Sequence, residues 1–115
     1  MSTNSVIAIN ETYNEDKLTA IYAHWDGGLD MANELDSNFA IAVDVLALIN
    51  KGDVSSVVDG QVNSYADRGD SWSKVCPIIG SLRHLFNTYT SAEFFHIFHD
   101  GEWAFLTRED VAEMI

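Results

Sequence analysis

A two-residue turn between two apolar runs constrains the fold of this chain more than any other feature. Asp100-Gly101 separates residues 94–99 from residues 102–106. Asp-Gly is a preferred sequence for a tight β-hairpin turn, because both central residues must tolerate positive φ. The turn sets the register of the hairpin. The predicted pairs are His99 with Glu102, Phe98 with Trp103, Ile97 with Ala104, His96 with Phe105, and Phe95 with Leu106. Both faces are largely apolar, which predicts a hairpin that is central in a sheet or covered on both sides.

Two more apolar runs, residues 5–9 and 18–25, lie near the start of the chain. The polar segment 10–17 between them predicts a second hairpin with a loop of moderate length. Residues 39–50 have the clearest helical pattern, with a thin stripe of small or polar residues on a helix that is otherwise apolar. That stripe consists of Ala40, Asp44, Ala47 and Lys51. The pattern is typical of a central buried helix.

Shorter helices are predicted over residues 29–35, 81–89 and 108–114. Ser37 or Asn38 is expected to cap the central helix and Thr107 the last one. The strands, helices and final strands together predict an α+β fold. We expect one domain over residues 1–115, in which an antiparallel or mixed sheet with N- and C-terminal hairpins packs against the central helix. A hydrophobic content of 47% is enough for such a core.

The charge balance limits the classes of partner. Eighteen acidic residues and six basic residues give a formal net charge of −12. Direct binding to nucleic acid or to an anionic membrane surface is therefore disfavoured, and a basic protein partner is favoured. The alternative is that the charge serves solubility. The single cysteine, Cys76, and the absence of a signal-like N-terminus or a long apolar stretch predict a soluble cytoplasmic protein.

Two groups of carboxylates are candidates for contact with a basic partner. Asp30 and Glu34 are four residues apart and share one face of a helix. Rows of carboxylates can imitate the phosphate backbone of DNA. The predicted partner-binding residues are Asp26, Asp30, Glu34, Asp36, Glu109, Asp110 and Glu113. The alternative for each group is an ordinary solvated surface.

Two short segments are candidates for ligand binding. His24 and Asp26 are expected on one face of a strand end, where a carboxylate beside an imidazole could orient a base or hold a ligand. Arg68, in a charged turn, could bind phosphate or carboxylate. The candidate ligand-binding residues are His24, Trp25, Asp26, Asp67, Arg68 and Asp70. The alternative is two structural turns with local ion pairs.

Sequence signatures of catalysis are missing. The chain has no CxxC, HExxH, Walker, GxGxxG or nucleophile-elbow motif. His96 and His99 are three residues apart, so in a strand they point to opposite faces and are poor joint metal ligands. The sequence predicts no catalytic residue, metal ligand or cofactor, and the balance is against an enzyme.

Several segments resemble a family of small proteins encoded by bacteriophages and prophages. They are residues 5–9, 21–27, 48–56, 65–70 and 100–103, and the most specific of them contains His24-Trp25-Asp26-Gly27. The chain departs from the family where Gly28-Leu29 replaces an aromatic residue and a proline, and where Asp70 replaces a glutamate. The resemblance implies an accessory phage protein that acts in the bacterial host cytoplasm, and it assigns no site residues.

Three functions are compatible with these features. The first is inhibition of a host nucleic-acid-binding defence complex, of the anti-CRISPR or anti-restriction type, by protein–protein contact with an acidic surface that imitates DNA. The second is binding of a nucleotide or other small ligand, as a sponge or a hydrolase, which requires the segments at His24 and Arg68 to meet. The third is a homodimer that associates through the apolar hairpin.

Overall fold

The computed structural model describes residues 3–10 and 17–115, and within these residues it has seven strands and five helices. In chain order they are β1 (Ser5–Asn10), β2 (Leu18–Ala23), α1 (Leu29–Asn38), α2 (Ala42–Ile49), β3 (Val54–Val58), β4 (Gln61–Ser64), α3 (Trp72–Val75), β5 (Ile78–Gly80), α4 (Leu82–Thr88), β6 (Phe94–His99), β7 (Glu102–Thr107) and α5 (Arg108–Met114). The α+β class with two terminal hairpins is confirmed. Most of the loop predicted between the first two strands, residues 11–16, lies outside the described residues.

The strands form one mixed sheet in the order β4-β3-β2-β1-β6-β7. β1 is antiparallel to β2 and parallel to β6, so it lies in the middle of the sheet. The outer edge of β2 is shared by two strands. β5 pairs with its first half, and β3 pairs in parallel with its last residue, Ala23.

Successive side chains of the central strands point to opposite faces of the sheet, so each face has its own hydrophobic core. Ile7 and Ile9 of β1 pack with α1 and α2, whereas Val6 and Ala8 pack with residues of α4 and α5. We call these two sides the α1–α2 face and the α4–α5 face. The hydrophobic side chains of β1 are almost completely buried because helices cover both sides.

The C-terminal hairpin has the predicted register at every pair from Phe95 with Leu106 to His99 with Glu102. Asp100 and Gly101 have φ of 52° and 82°, as the tight turn requires. Thr107 caps α5 with a capping box, in which its hydroxyl accepts from the N–H of Asp110 and the Asp110 carboxylate accepts from the N–H of Thr107.

The predicted cap of the central helix is wrong. Asn38 is the last residue of α1, which is longer than expected, and Ile41 in an extended conformation precedes α2. The small and polar stripe is exposed as predicted, but α2 buries only one face. Val45, Leu48 and Ile49 point into the core, while the side chain of Val43 is 65% exposed.

Candidate functional site

The first candidate ligand-binding segment is held against β3. The N–H of His24 donates to the carbonyl of Val54 at 3.2 Å, and the N–H of Trp25 donates to the carbonyl of Ser55 at 3.0 Å. β2 nevertheless ends at Ala23, and Asp26 is in a left-handed turn with φ of 54°. The prediction that His24 and Asp26 share a strand face is therefore wrong, because strand alternation does not extend past Ala23.

The backbone of Gly27 connects this turn to Thr3 and to His96 in β6. Its N–H donates to the carbonyl of Thr3 at 2.9 Å, and its carbonyl lies 2.6 Å from Nε2 of the buried His96. A Cβ at this position would approach Ser5 and Thr3 to 2.7 Å, so the site requires glycine. Burial lowers the pKa of His96, and the hydrogen bond to Gly27 offsets part of that effect. His96 is thus a fully buried core histidine whose ring has a hydrogen-bond partner.

The two candidate ligand-binding segments meet through Tyr65. Its hydroxyl lies 2.6 Å from Nδ1 of His24, and the two rings are edge-to-face with centroids 5.6 Å apart. The guanidinium of Arg68 lies over the Tyr65 ring, 5.5 Å from its centroid. The carbonyl of Tyr65 also accepts from the N–H groups of Arg68 and Asp70, which fixes the turn. Tyr65 therefore contacts both His24 and Arg68 and brings the two segments together.

A carboxylate that the sequence did not single out, Asp53, lies close to His24. Its Oδ1 accepts a hydrogen bond from the N–H of Tyr22 at 2.9 Å. Burial raises the pKa of Asp53, and the Tyr22 hydrogen bond and the attraction of His24 only partly counteract it. Asp53 is placed here because β3 starts one residue later and runs parallel to β2.

Aromatic rings extend the cluster across the α4–α5 face. Tyr22 stacks on Tyr89 with centroids 5.4 Å apart and meets the edge of His24 at 5.2 Å. The Tyr22 hydroxyl lies 2.7 Å from Oγ of Ser91. Burial, together with the nearby acidic groups of Asp53 and Cys76, raises the pKa of Tyr89. We call the whole cluster the His24 corner. It consists of Tyr22, His24, Asp53, Tyr65, Arg68 and Tyr89.

Three basic residues lie at or near this corner, together with several carboxylates. Lys51 lies two residues before Asp53 and pairs with Asp67 at 3.6 Å. Lys74 is in α3, and the next residue, Val75, accepts the N–H of Asp53 through its carbonyl at 2.8 Å. With Arg68, these lysines are half of the six cations in the chain. Of the other predicted residues here, Trp25, Asp26, Asp67 and Asp70 are exposed.

The predicted acidic residues do not form one surface. α1 packs on the α1–α2 face through Met31 and Leu35, and α5 packs on the opposite face through Val111. The carboxylates of the two helices are therefore on opposite sides of the sheet. Asp26, Asp30, Asp36, Glu109, Asp110 and Glu113 are exposed.

Two of these carboxylates have structural contacts. Glu34 accepts hydrogen bonds from the backbone N–H groups of Asp59 at 2.7 Å and Gly60 at 2.8 Å, and from the side-chain amide of Asn38. Asp110 completes the capping box of α5. Sequence spacing could not distinguish these roles from a partner-binding role.

Within residues 3–10 and 17–115, no group of three or more His, Cys, Asp or Glu side chains is arranged to hold a metal ion. In the same part of the chain, none of the helices has the length and apolar character needed to cross a membrane. The comparisons with known proteins found no matching family model, no matching curated protein and no matching solved structure.

Proposed function

We propose that this protein binds a small nucleotide-like ligand at the His24 corner. The observation that carries the proposal is the 2.6 Å contact between Nδ1 of His24 and the hydroxyl of Tyr65. It joins two segments, 41 residues apart in sequence, that each looked suited to ligand contact. His24 after β2, Asp53 before β3 and Tyr65 after β4 therefore lie close together, and binding sites are commonly assembled from separate segments in this way.

The chemistry of the corner favours a ligand with an anionic group, a hydroxyl group and a flat ring. Arg68 and Lys74 supply positive charge for a phosphate beside the Lys51–Asp67 ion pair, and a guanidinium can bind phosphate through two hydrogen bonds. Asp53 is an acceptor for a hydroxyl such as that of a ribose. Tyr22 and Tyr65 offer aromatic surface to a base. These groups would hold a nucleotide without any of them being an activated nucleophile, which favours a sponge over a hydrolase.

The test is an NMR titration of the labelled protein with AMP, ATP and inorganic phosphate. We expect amide shifts for Tyr22, His24 and Tyr65, and weaker binding by Arg68→Gln. Arg83→Gln is the matched control, because it removes the same charge from α4, outside the corner. Nucleotides that leave the amides of the corner unshifted at millimolar concentration would refute the proposal. Equal loss of binding in both variants would show a general charge effect instead.

A second candidate function is inhibition of a basic host protein by the acidic surface beside α1. Exposed Asp26, Asp30 and Asp36 favour it, together with the net charge of −12. Such a partner would be a nucleic-acid-binding complex of the bacterial host, in keeping with the resemblance to phage proteins. The corresponding test is capture of a partner from host lysate and its release by salt.

The matched variants for that test are on the two sides of the sheet. Asp30→Asn with Asp36→Asn should reduce capture, while Glu109→Gln with Glu113→Gln makes the same charge change on the α4–α5 face and should not. A partner that resists high salt, or that is lost equally in both double variants, would contradict a role for the α1 surface.

A further inference from the structure

β7 is an edge strand of the sheet, and one side of its backbone has no partner strand among the described residues. It pairs with β6 and ends the strand order β4-β3-β2-β1-β6-β7. Its register with β6 is regular from Glu102 to Thr107, without a bulge that would turn the edge away. The outer side of β7 is therefore straight enough to pair with a further strand.

The hydrogen-bond pattern of the hairpin shows which backbone groups of β7 point outwards. The N–H of Arg108 donates to the carbonyl of Glu93 at 2.9 Å, so this pair, which continues the hairpin register, is a hydrogen-bonded one. Hydrogen-bonded and non-hydrogen-bonded pairs alternate in an antiparallel ladder. Trp103 and Phe105 are therefore in non-hydrogen-bonded pairs, and their N–H and carbonyl groups point away from β6. Within residues 3–10 and 17–115, no other group is hydrogen-bonded to these outward groups.

Apolar side chains lie on both sides of this open edge. On the α1–α2 face, Phe105 is 40% exposed and stacks on Phe94 with centroids 5.2 Å apart. On the α4–α5 face, Ala104 is exposed and lines the same cavity as the exposed Met114. Edge strands are usually protected from pairing by a charge, a proline or a bulge, and residues 103–106 have none of these. An open apolar edge of this kind is suited to binding an extended peptide as an additional strand.

Carboxylates lie at both ends of the open edge. Glu102 is exposed at the start of β7, where Arg83 borders the same cavity and offsets part of its charge. At the other end, the Asp110 carboxylate accepts from the N–H of the last residue of β7 at 2.9 Å, so it lies in line with the edge. Glu109 is also exposed there, and the guanidinium of Arg108 is directed to carbonyls at the end of α4. A segment that carries lysine or arginine would therefore meet opposite charge, most strongly at the Asp110 end.

The same charges disfavour a second copy of this chain as the added strand. Antiparallel pairing of two copies would bring the start of each β7 to the end of the other, so Glu102 in one copy would lie towards Asp110 in the other. Parallel pairing would place each of these carboxylates beside its own equivalent. Two chains with a net charge of −12 would also repel each other. Charge complementarity therefore selects a basic segment of another protein.

We propose that β7 binds an extended basic segment of a partner protein as an additional strand of the sheet. The backbone of that segment pairs with the outward groups of Trp103 and Phe105. Its apolar side chains lie over Phe105 and Ala104, and its lysine or arginine side chains reach Glu102 and Asp110. None of these residues belongs to the His24 corner or to α1, so the inference depends neither on the proposed nucleotide site nor on the acidic surface beside α1.

The test uses two synthetic hexapeptides with blocked ends, one of alternating lysine and valine and one of alternating glutamate and valine. Amide hydrogen exchange of the full chain is measured by NMR with each peptide at millimolar concentration. With the lysine peptide, exchange at Trp103 and Phe105 should slow by about five-fold or more, because their N–H groups become hydrogen-bonded. Exchange at Ala104 and Leu106, which already bond to β6, should change little. Absence of this protection, or equal protection by the glutamate peptide, would overturn the proposal.

A proline on the open edge provides the complementary variant. Phe105→Pro removes an outward N–H and no bond to β6, a position at which edge strands tolerate proline. Phe105→Ala is the matched control, because it removes the ring and keeps the N–H. The lysine peptide should bind Phe105→Pro about five-fold more weakly than Phe105→Ala, and equal affinity would contradict the proposal. If Phe105→Pro does not fold, the exchange measurement on the native chain decides.

A charge variant separates this edge from the acidic surface beside α1. Asp30→Asn should bind the lysine peptide like the native chain, whereas Glu102→Gln should bind it more weakly. Weaker binding by Asp30→Asn alone, with amide shifts along α1, would place the peptide on the α1 surface and overturn the role of β7.

Discussion

One carboxylate, Glu34, joins α1 to the turn between β3 and β4. It accepts two backbone N–H groups of that turn, from Asp59 and Gly60. We expect Glu34→Ala to lower the free energy of unfolding by about 1–2 kcal/mol, because hydrogen bonds to a charged acceptor are lost. Asp36→Ala on the same helix is the control. It should change stability by less than about 0.5 kcal/mol, measured by urea denaturation of both variants.

The effect of Glu34 should depend on pH. Burial raises the pKa of Glu34, but the hydrogen bonds from Gly60, Asn38 and Asp59 outweigh it, so the pKa lies below its ordinary value of 4.5. A lowered pKa in the folded state means that the stabilisation is complete above pH 4.5 and is lost as pH falls through the folded pKa. The difference between the native chain and Glu34→Ala should therefore shrink in acid. A difference that stays constant down to pH 2 would contradict this assignment.

Removal of the Asp53 charge should stabilise the fold, whereas loss of the Glu34 carboxylate should destabilise it. Burial raises its pKa, so its charged form is unfavourable in the folded chain. We expect Asp53→Asn to stabilise the protein at neutral pH by at most about 1 kcal/mol, since solvent screens part of the cost. The amide oxygen can still accept from the N–H of Tyr22. Thermal denaturation of the two proteins over a range of pH is the measurement.

The sign of the pH dependence follows from linkage. Because the folded pKa of Asp53 is raised above 3.8, the native chain loses stability as pH rises from 3.8 through the folded pKa. The advantage of Asp53→Asn should appear over that range and vanish below it. A destabilised variant at neutral pH would mean that the attraction between Asp53 and His24 outweighs the burial. A stabilised variant would be typical of a site where a polar group is kept at a cost to stability.

At the level of elements, Arg108 connects the two helices of the α4–α5 face. Its guanidinium donates to the carbonyls of Phe86, Tyr89 and Ala92, each at 3.1 Å, and lies 4.0 Å from the centroid of the Phe86 ring. The first residue of α5 thereby satisfies carbonyl groups at and beyond the end of α4, which have no partner within that helix.

We expect Arg108→Lys to destabilise the fold by about 2 kcal/mol, because a lysine cannot reproduce the planar set of donors or the stacking on Phe86. Arg83→Lys, in an exposed position of α4, should change the stability by less than about 0.5 kcal/mol. Chemical denaturation gives both values. Equal losses in the two variants would argue against the special role of Arg108.

The elements that the sequence predicted best are those with local signals. Asp100-Gly101 demands positive φ at both residues, so its hairpin and register followed directly. Thr107 and Asp110 form a capping box within four residues. In contrast, Ser37 and Asn38 looked like caps of α2 but belong to α1, because its packing through Met31 and Leu35 extends the helix.

The candidate site was harder to predict because its residues are far apart in the chain. His24 and Arg68 were visible as short motifs, but Tyr65, which joins them, had no sequence signal of its own. Asp53 comes to the corner only through the parallel contact of β2 with β3. Single-residue pairing between distant strands leaves no periodic pattern that a sequence could reveal.

On the scale of the whole molecule, charge is unevenly distributed. Lys51, Arg68 and Lys74 are near the His24 corner, while the carboxylates of α1 and α5 are on opposite sides of the sheet. Asp53, Asp67 and Asp70 lie at the same corner, so carboxylates there balance the basic residues. The corner is therefore a region of mixed charge, where a phosphate would meet basic side chains whose effect the neighbouring carboxylates reduce.

The net charge of −12 should also make the fold sensitive to salt. Like charges repel one another more strongly in the compact chain than in the unfolded chain, and salt screens that repulsion. Raising NaCl from about 20 mM to about 300 mM should therefore increase Tm at neutral pH, because the Debye length falls from about 20 Å to below 10 Å. Near the pI of about 4.3 the same addition should have little effect. Sucrose at equal osmolality is the control for exclusion effects, which should raise Tm at both pH values. If salt raised Tm equally at both pH values, exclusion of salt from the protein surface would explain the increase. Repulsion among the acidic residues would then not measurably destabilise the fold.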